Sequence, residues 1–359
     1  MPTKTPLIAL GFVILSAVAA GSFAQSLDLQ LRYQQEIADD SEGFHRRSRG
    51  EQWEPSETAV IVCDMWDSHH CVNAVRRVAQ LSPRISDFCD TLRDRGVTVI
   101  HAPSGCMKAY EGHPSRTRAM STPPAKQMPD RIATWCDQIP SEQEAPYPID
   151  QSEGGEDDDV EDHRLWAERL ASIGRDPRSP WQRQTDAIRI DDQVDFISDS
   201  GTEIWSIMAS KGIKNVILVG VHTNMCVLGR PFGIRQLVRQ ELNVVLMRDM
   251  TDSMYNPKMR PQVSHVRGTE LVIEHIEKHW CPTVTSSDLL GGPAFRFEED
   301  KRPQVAVLVS DDHYGADETL PEFGQMLREK HGCHVTIMHG QGTSDIPATD
   351  ELEKADCLV

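Results

Sequence analysis

The stretch Asn215–Pro231, NVILVGVHTNMCVLGRP, decides the reading of this chain. Residues 216–219 form an apolar run rich in β-branched side chains, the pattern of a strand buried on both faces. Gly220 and the polar pair Thr223-Asn224 interrupt it, and the next helix begins near Cys226. A thiol placed where strand becomes helix meets unpaired backbone N–H groups and the positive end of the helix dipole. Both favour the thiolate, and the same N–H groups can hold an oxyanion. A cysteine at such a turn is also an ordinary core residue, so spacing alone leaves both readings open.

Working outward, Ala59–Cys63 (AVIVC) is a second buried strand, ending at Asp64. Between residues 74 and 95, Val75, Val78, Leu81, Ile85, Phe88 and Leu92 recur at helical spacing; Gly96 stops the helix and Val97–His101 starts another strand. This strand-helix-strand unit implies a parallel sheet. Further on, Gly201–Lys211 reads as a helix closed by Gly212, Asn243–Met247 as a strand, and residues 263–279 as containing a helix with Leu271, Ile273 and Ile276 inward. The repetition predicts a doubly wound α/β fold with helices on both faces and ligands at the carboxyl ends of the strands. After Pro293 a charged link (FEEDKR) leads to a strand at Val305–Val309, a helix at Leu320–Lys330, a strand at His334–Met338 and the opening of another at 355–359. That is a partial second α/β unit.

The organisation expected is therefore an export signal at 1–24, an N-terminal extension at 25–55 that is polar and irregular or partly helical, a main domain at 56–292, a linker at 293–302 and the partial unit at 303–359. The main domain carries a proline-rich insertion at 103–180. Within it, residues 141–163 hold ten acidic side chains and no Lys or Arg, the composition of a solvated loop.

Charge and the amino terminus narrow the function classes. Among 359 residues, 37 basic and 55 acidic side chains give a net charge of −18, which excludes a protein that displaces phosphate counterions and argues against docking on anionic lipid. The apolar run Leu7–Ala20, about 14 residues, is shorter than the roughly 20 needed to span a bilayer. With Lys4 before it and Ser22-Phe23-Ala24 after it, the run reads as a cleaved signal. The mature chain is expected to be secreted or periplasmic, with no membrane contact after cleavage. Its nine cysteines are odd in number and include no CxxC pair, so at least one thiol is free unless it pairs with another chain.

Segment 58–290 resembles the isochorismatase-like cysteine hydrolases, a superfamily that includes nicotinamidases and other amidases. The carriers are the strand ending in Asp64, the G-V-x-T-N-x-C-V pattern at 220–227, NVVLMRDMTDS at 243–253 and GTELVIEHIE at 268–277. The resemblance implies a mostly parallel six-stranded sheet and a Cys-Asp-Lys triad, with Cys226 as nucleophile and Asp64 as base. It implies no required cofactor, hydrolysis of a small amide or related bond through a thioester-like intermediate, and assembly as a homo-oligomer. The lysine is missing: the window 181–200, where the family places it, offers Arg183 and Arg189 but no Lys. Arginine keeps its proton, so it can hold charge but not shuttle. Arg189 is the candidate third member, with Lys108 on another loop as an alternative.

Trp66, His101, His222, Thr223 and Asn224 are the candidate substrate contacts, although an indole such as Trp66 more often packs. Nicotinamidases of this family bind a metal through an aspartate and histidines. Asp67, His69 and His70 have that ligand chemistry for a divalent ion such as zinc, without reproducing the motif. Two other readings stand beside the cysteine hydrolase: a lapsed enzyme that keeps the pocket as a small-molecule-binding protein, and a metal-dependent hydrolase using the loop histidines. Residues 303–359 resemble, through VAVLVSDDHYG, the amidotransferase-like domains of trehalose-utilisation proteins; no catalytic half is present, and no activity is expected of them.

Overall fold

The computed structural model describes residues 26–36, 44–137, 142, 146–310, 313–340, 352 and 355–359; the signal read at 1–24 lies outside them. The strands are β1 (Leu27–Glu36), β2 (Phe44–Trp53), β3 (Thr58–Cys63), β4 (Thr98–Ala102), β5 (Phe196–Ile197), β6 (Asn215–Val221), β7 (Asn243–Asp252), β8 (Thr283–Val284), β9 (Gln304–Val309), β10 (His334–His339) and β11 (Cys357–Leu358). The helices are α1 (Val72–Asp94), α2 (Pro114–Ser121), α3 (Val160–Ser172), α4 (Gly201–Lys211), α5 (Ile234–Val238), α6 (His265–His279), α7 (Ser287–Leu290) and α8 (Ala316–His331).

Eight strands form one sheet in the order β2-β1-β8-β7-β6-β3-β4-β5. From β8 to β5 the pairing is parallel throughout, which is the six-stranded parallel sheet expected. Its strands are buried on both faces, as runs such as TAVIVC require. Ala59, Ile61 and Cys63 of β3 pack with residues of α4 and α6, whereas Val60 and Val62 pack with α1. Helices therefore cover both faces. Local signals set their ends: the Ser200 hydroxyl accepts from the Glu203 N–H at the start of α4, and Gly212 closes it with φ +68.

Residues 25–55 depart from expectation. Of these, Leu27–Glu36 and Phe44–Trp53 pair as antiparallel strands, β1 and β2, which add two strands at the β8 edge. Leu27, Leu29 and Leu31 are buried while Asp28 and Gln30 face out, a period-two pattern that outweighs the polar composition. The partial second unit is a separate three-stranded parallel sheet, β10-β9-β11, with its own small core of Val305, Val307, Val335 and Ile337.

The insertion also departs from the solvated loop. Asp157 receives both terminal nitrogens of Arg77 (2.8 and 3.0 Å), Asp158 accepts from the Val72 N–H at the start of α1 (2.9 Å), and the Asp159 side chain caps α3. Glu142 is buried between Arg235 and His275 (both 2.7 Å). Its acidic residues serve as anchors and helix caps. Among the described residues, no helix is long and apolar enough to cross a membrane.

At Gly220 (φ +107) a Cβ would overlap the Cys63 carbonyl oxygen, so β6 approaches β3 there as only glycine allows. Gly220→Ala is expected to destabilise the protein by about 3 kcal/mol or more. The fall should show as a lower denaturant midpoint at unchanged slope. A midpoint indistinguishable from the parent would mean that the two strands have room to part.

Candidate active site

Asp64 follows directly on β3, and its φ of +47 puts a non-glycine residue in the left-handed region. Such a conformation costs energy and persists where a side chain must be aimed. Two backbone bonds hold the turn: Asp64 N–H to Ala102 O (3.1 Å) and Trp66 N–H to Asp64 O (2.8 Å). The carboxylate that results is fully buried. Its Oδ1 accepts from the Ser104 N–H (2.7 Å), its Oδ2 accepts from Arg230 Nε (3.0 Å), and the Cys226 thiol hydrogen-bonds to it.

Cys226 sits on one turn of π-helix, Thr223–Val227, directly after β6. Hydroxyls and an amide brace that turn. Thr223 and Thr251 share a hydroxyl–hydroxyl bond (2.7 Å), Thr251 donates to Gly220 O (2.7 Å), and Asn224 exchanges two bonds with the backbone of Met254 (2.9 Å each). Arg230 N–H donates to Cys226 O (3.0 Å), so Arg230 stands one helical turn on and shares the face of Cys226. Its guanidinium also lies over the ring of Trp135 at 5.3 Å, on the insertion.

Burial pushes the Asp64 carboxyl up from its ordinary range; Arg230 and the Ser104 N–H pull it part of the way back. The Cys226 thiol is pushed up as well, by burial first and by the Asp64 charge second. Helix-end placement therefore does not make a resting thiolate here, contrary to the sequence expectation. At rest the thiol is protonated and hydrogen-bonds to the Asp64 carboxyl. Arg230 stays charged because Asp64 offsets the cost of burying it.

The remaining candidates are placed as follows. Arg189 is on the surface, its guanidinium bonded to Asp90 (3.0 Å) and Asp191 (3.2 Å), and Arg183 pairs with Asp186 (2.6 Å). Lys108 is exposed. None of the three is the cation on Asp64; a side chain within the cysteine motif itself takes that place. The signal was in the sequence, because a residue four positions after a helical cysteine shares its face. His101 is buried with both ring nitrogens engaged, by Gln184 (3.0 Å) and Asp195 (3.1 Å), which leaves neither for a substrate.

Trp66 is buried, donates to Ser104 O (3.1 Å) and stacks on Trp181 at 4.6 Å. Thr223 and Asn224 brace the cysteine turn. His222 is buried beside Asp64, its Nε2 without a partner, on the wall of a cavity of about 10 Å³, close to the limit for one water.

The metal reading gathers His69 and His70 but not Asp67. Asp67 accepts from Arg175 (2.7 Å) and from the Gln182 N–H (3.0 Å). His70 pairs with Glu156 (3.0 Å), and His69 Nδ1 accepts from the Cys71 N–H (3.2 Å). Among the described residues, no three or more His, Cys, Asp or Glu side chains are grouped so as to hold a metal ion, so these donors do not fit a zinc site. Burial pushes His69 well below its ordinary range and His222 down to about 4. Both are neutral at pH 7. All nine cysteines are free thiols.

No protein-family model matches the chain and no curated protein matches it. Solved structures do. A cysteine hydrolase from Pseudomonas syringae pv. phaseolicola 1448A is 16% identical, covering 66% of this chain and 92% of its own, with a TM-score of 0.38. Isochorismatase-family proteins from Burkholderia thailandensis (13% identical, 65% and 94% covered, TM-score 0.36) and Desulfovibrio vulgaris subsp. vulgaris str. Hildenborough (12%, 65% and 96%, 0.35) are similar in the same way. These are likenesses of fold, and the chemistry below is built on the side chains.

A carboxyl whose folded pKa lies above its unfolded one stabilises the fold only while it is protonated. The ionised form therefore costs stability at neutral pH, and the cost fades as pH falls below the unfolded value, roughly 4. Asp64→Asn keeps the acceptor for Ser104 and removes the buried charge. The variant leaves Arg230 unpaired at every pH, so the signature is the pH dependence: the parent's Tm should rise relative to that of Asp64→Asn as pH falls from 7 to about 4, read in parallel melts. A difference that does not change with pH would show that Asp64 does not titrate above its unfolded value.

Proposed function

We propose that the chain is a cysteine hydrolase acting on a small amide or related carbonyl compound, with Cys226 as nucleophile, Asp64 as general base and acid, and Arg230 as the fixed cation. The observation that carries this reading is the buried Asp64 carboxylate held between Arg230 Nε at 3.0 Å and the thiol of Cys226. A nucleophile, a base within hydrogen-bond reach and a group that orients the base are the elements of nucleophilic acyl transfer.

In this reading Asp64 takes the thiol proton as sulfur attacks the carbonyl carbon. It returns that proton to the leaving nitrogen as the C–N bond breaks, leaving a thioester on Cys226. Water then attacks the thioester, giving one proton to Asp64; the thiolate leaves, and Asp64 reprotonates it. Arg230 exchanges no proton at any step. It keeps Asp64 ionised in a buried site and balances charge as the thiolate forms. Trp135 over Arg230 and Trp181 over Trp66, with Cys226 only 7% exposed, confine the site to small substrates. The sequence of residues 1–24 supports placing this activity outside the cytoplasm.

The test is turnover of a panel of small primary amides and mass spectrometry of the quenched reaction. The parent should show an acyl adduct on Cys226, Cys226→Ala none, and Asp64→Asn a loss on the order of 10²–10⁴-fold in rate. Arg230→Gln should slow hydrolysis and move the acidic limb of kcat/KM to higher pH, because Asp64 then holds its proton more tightly; Arg230→Lys should restore the limb. If the folded parent binds members of the panel without ever forming the adduct, the lapsed-enzyme reading replaces this one.

A further inference from the structure

A second and much larger cavity, about 240 Å³, lies between α6, the β1–β2 hairpin and the C-terminal unit. Six arginines and five carboxylates line it, and they are unevenly partnered. Glu274 accepts from both Arg46 (3.0 Å) and Arg267 (2.9 Å). Glu270 serves Arg302 (2.9 Å), His334 (2.8 Å) and Arg267 (3.3 Å). Among the described residues, the hydrogen bonds of Arg328, 7% exposed, go to uncharged acceptors: the Val335 carbonyl at 2.6 Å and Gln325 Oε1 at 3.4 Å.

Arg46, 6% exposed, turns one terminal nitrogen to the same Val335 carbonyl (3.4 Å), and its Nε is buried without a partner. Two guanidinium groups, one from β2 and one from α8, thus converge on a single carbonyl oxygen with a donor to spare. Buried donors of this kind are normally satisfied, and a buried guanidinium normally has an anion. Burial first and the charge of Arg46 second push Arg328 down to about 9, against the opposing pull of Glu274.

We propose that this cavity is a second ligand site, separate from Asp64 and Cys226, for a small organic oxyanion. Its carboxylate or phosphate lies against Arg46 and Arg328, where guanidinium forks match the geometry of oxyanions. Its apolar body lies against Ile273, Phe295 and Val335, which line the same cavity. The hairpin, the linker and the C-terminal unit each contribute a basic residue to the wall, so the ligand ties the added elements to the main sheet. Thr251 also lines the cavity, and its hydroxyl braces the turn that carries Cys226. The two sites therefore share one side chain without sharing a ligand.

The experiment is calorimetric titration of the full chain with phenyl phosphate and with benzoate, and with phenol as the uncharged control. One saturable site per chain is expected for at least one of the two anions and none for phenol. Affinity should fall by about tenfold or more in Arg328→Gln and in Arg46→Lys, and persist in Arg230→Gln. Arg46→Lys keeps the charge beside Glu274 and removes the free Nε donor, so it decides the matter should Arg328→Gln fail to fold. Absence of saturable binding by both anions, equal affinity in a folded Arg328→Gln and in Arg46→Lys, or loss of binding in Arg230→Gln would each overturn the proposal, the last by placing the anion at the catalytic site.

Discussion

One buried carboxylate organises the site. Asp64 has no contact with solvent, yet three residues from two neighbouring strand ends converge on it: Ser104 from the loop after β4, Cys226 from the turn after β6, and Arg230 one helical turn beyond. A lone carboxylate in that position would take up a proton. Ionised, it requires all three partners, and those partners lie on neighbouring strand ends only because β3, β4 and β6 are adjacent and parallel. The strand order places β3 between β4 and β6, so the sheet is what brings distant residues into a single polar cluster. Gly220, opposite Cys63 at the end of β6, keeps the two central strands close enough for the contact.

A second ionic cluster attaches the insertion to that frame. Arg77 on α1 binds Asp252 at the end of β7 (2.7 Å) and Asp157 in the acidic run (2.8 Å), and His265 of α6 reaches the same two carboxylates. One arginine and one histidine facing two carboxylates bind α1, the end of β7, Asp157 of the insertion and α6 together. Removing one member would leave the others buried and unpaired, which costs more than the pair itself contributes. Asp157 is thereby tied to the strand ends, and another described residue of the insertion, Trp135, lies against Arg230.

Much of this was legible in the sequence. Unbroken apolar runs such as AVIVC and NVILVG report strands buried on both faces, and the helical spacing from Val75 to Leu92 reports the crossover helix between them; together they fix a parallel sheet and put Asp64 and Cys226 at its carboxyl edge. The hairpin at 27–53 was hidden by composition: β2 is an edge strand rich in charge, and only the Leu27-Leu29-Leu31 alternation in its partner carries the period. The acidic run misled for a related reason. Composition counts charges but does not show which arginines wait for them on other elements, and Arg77 and Arg235 lie far away in sequence. His101 fails as a substrate contact on the same ground, since Gln184 and Asp195 complete it from a segment more than eighty residues on.

The cation is the most instructive of the differences. A triad pattern directs attention to a lysine in a distant window, yet the electrostatic need is only for a positive charge at Asp64, and the nearest chain able to supply it is the helix that carries Cys226. Meeting the need with arginine changes the chemistry available. Lysine can lend and recover a proton; a guanidinium beside a buried carboxylate holds its own throughout. In the proposed reaction every proton that moves must then pass through Asp64, which has to be basic enough to take one from a thiol and acidic enough to give it to a departing nitrogen. A buried carboxyl raised above its ordinary range, and kept from rising further by one fixed cation, satisfies both demands. Arg230 contributes by setting that balance, and the depth of burial of Asp64 is what makes the balance necessary.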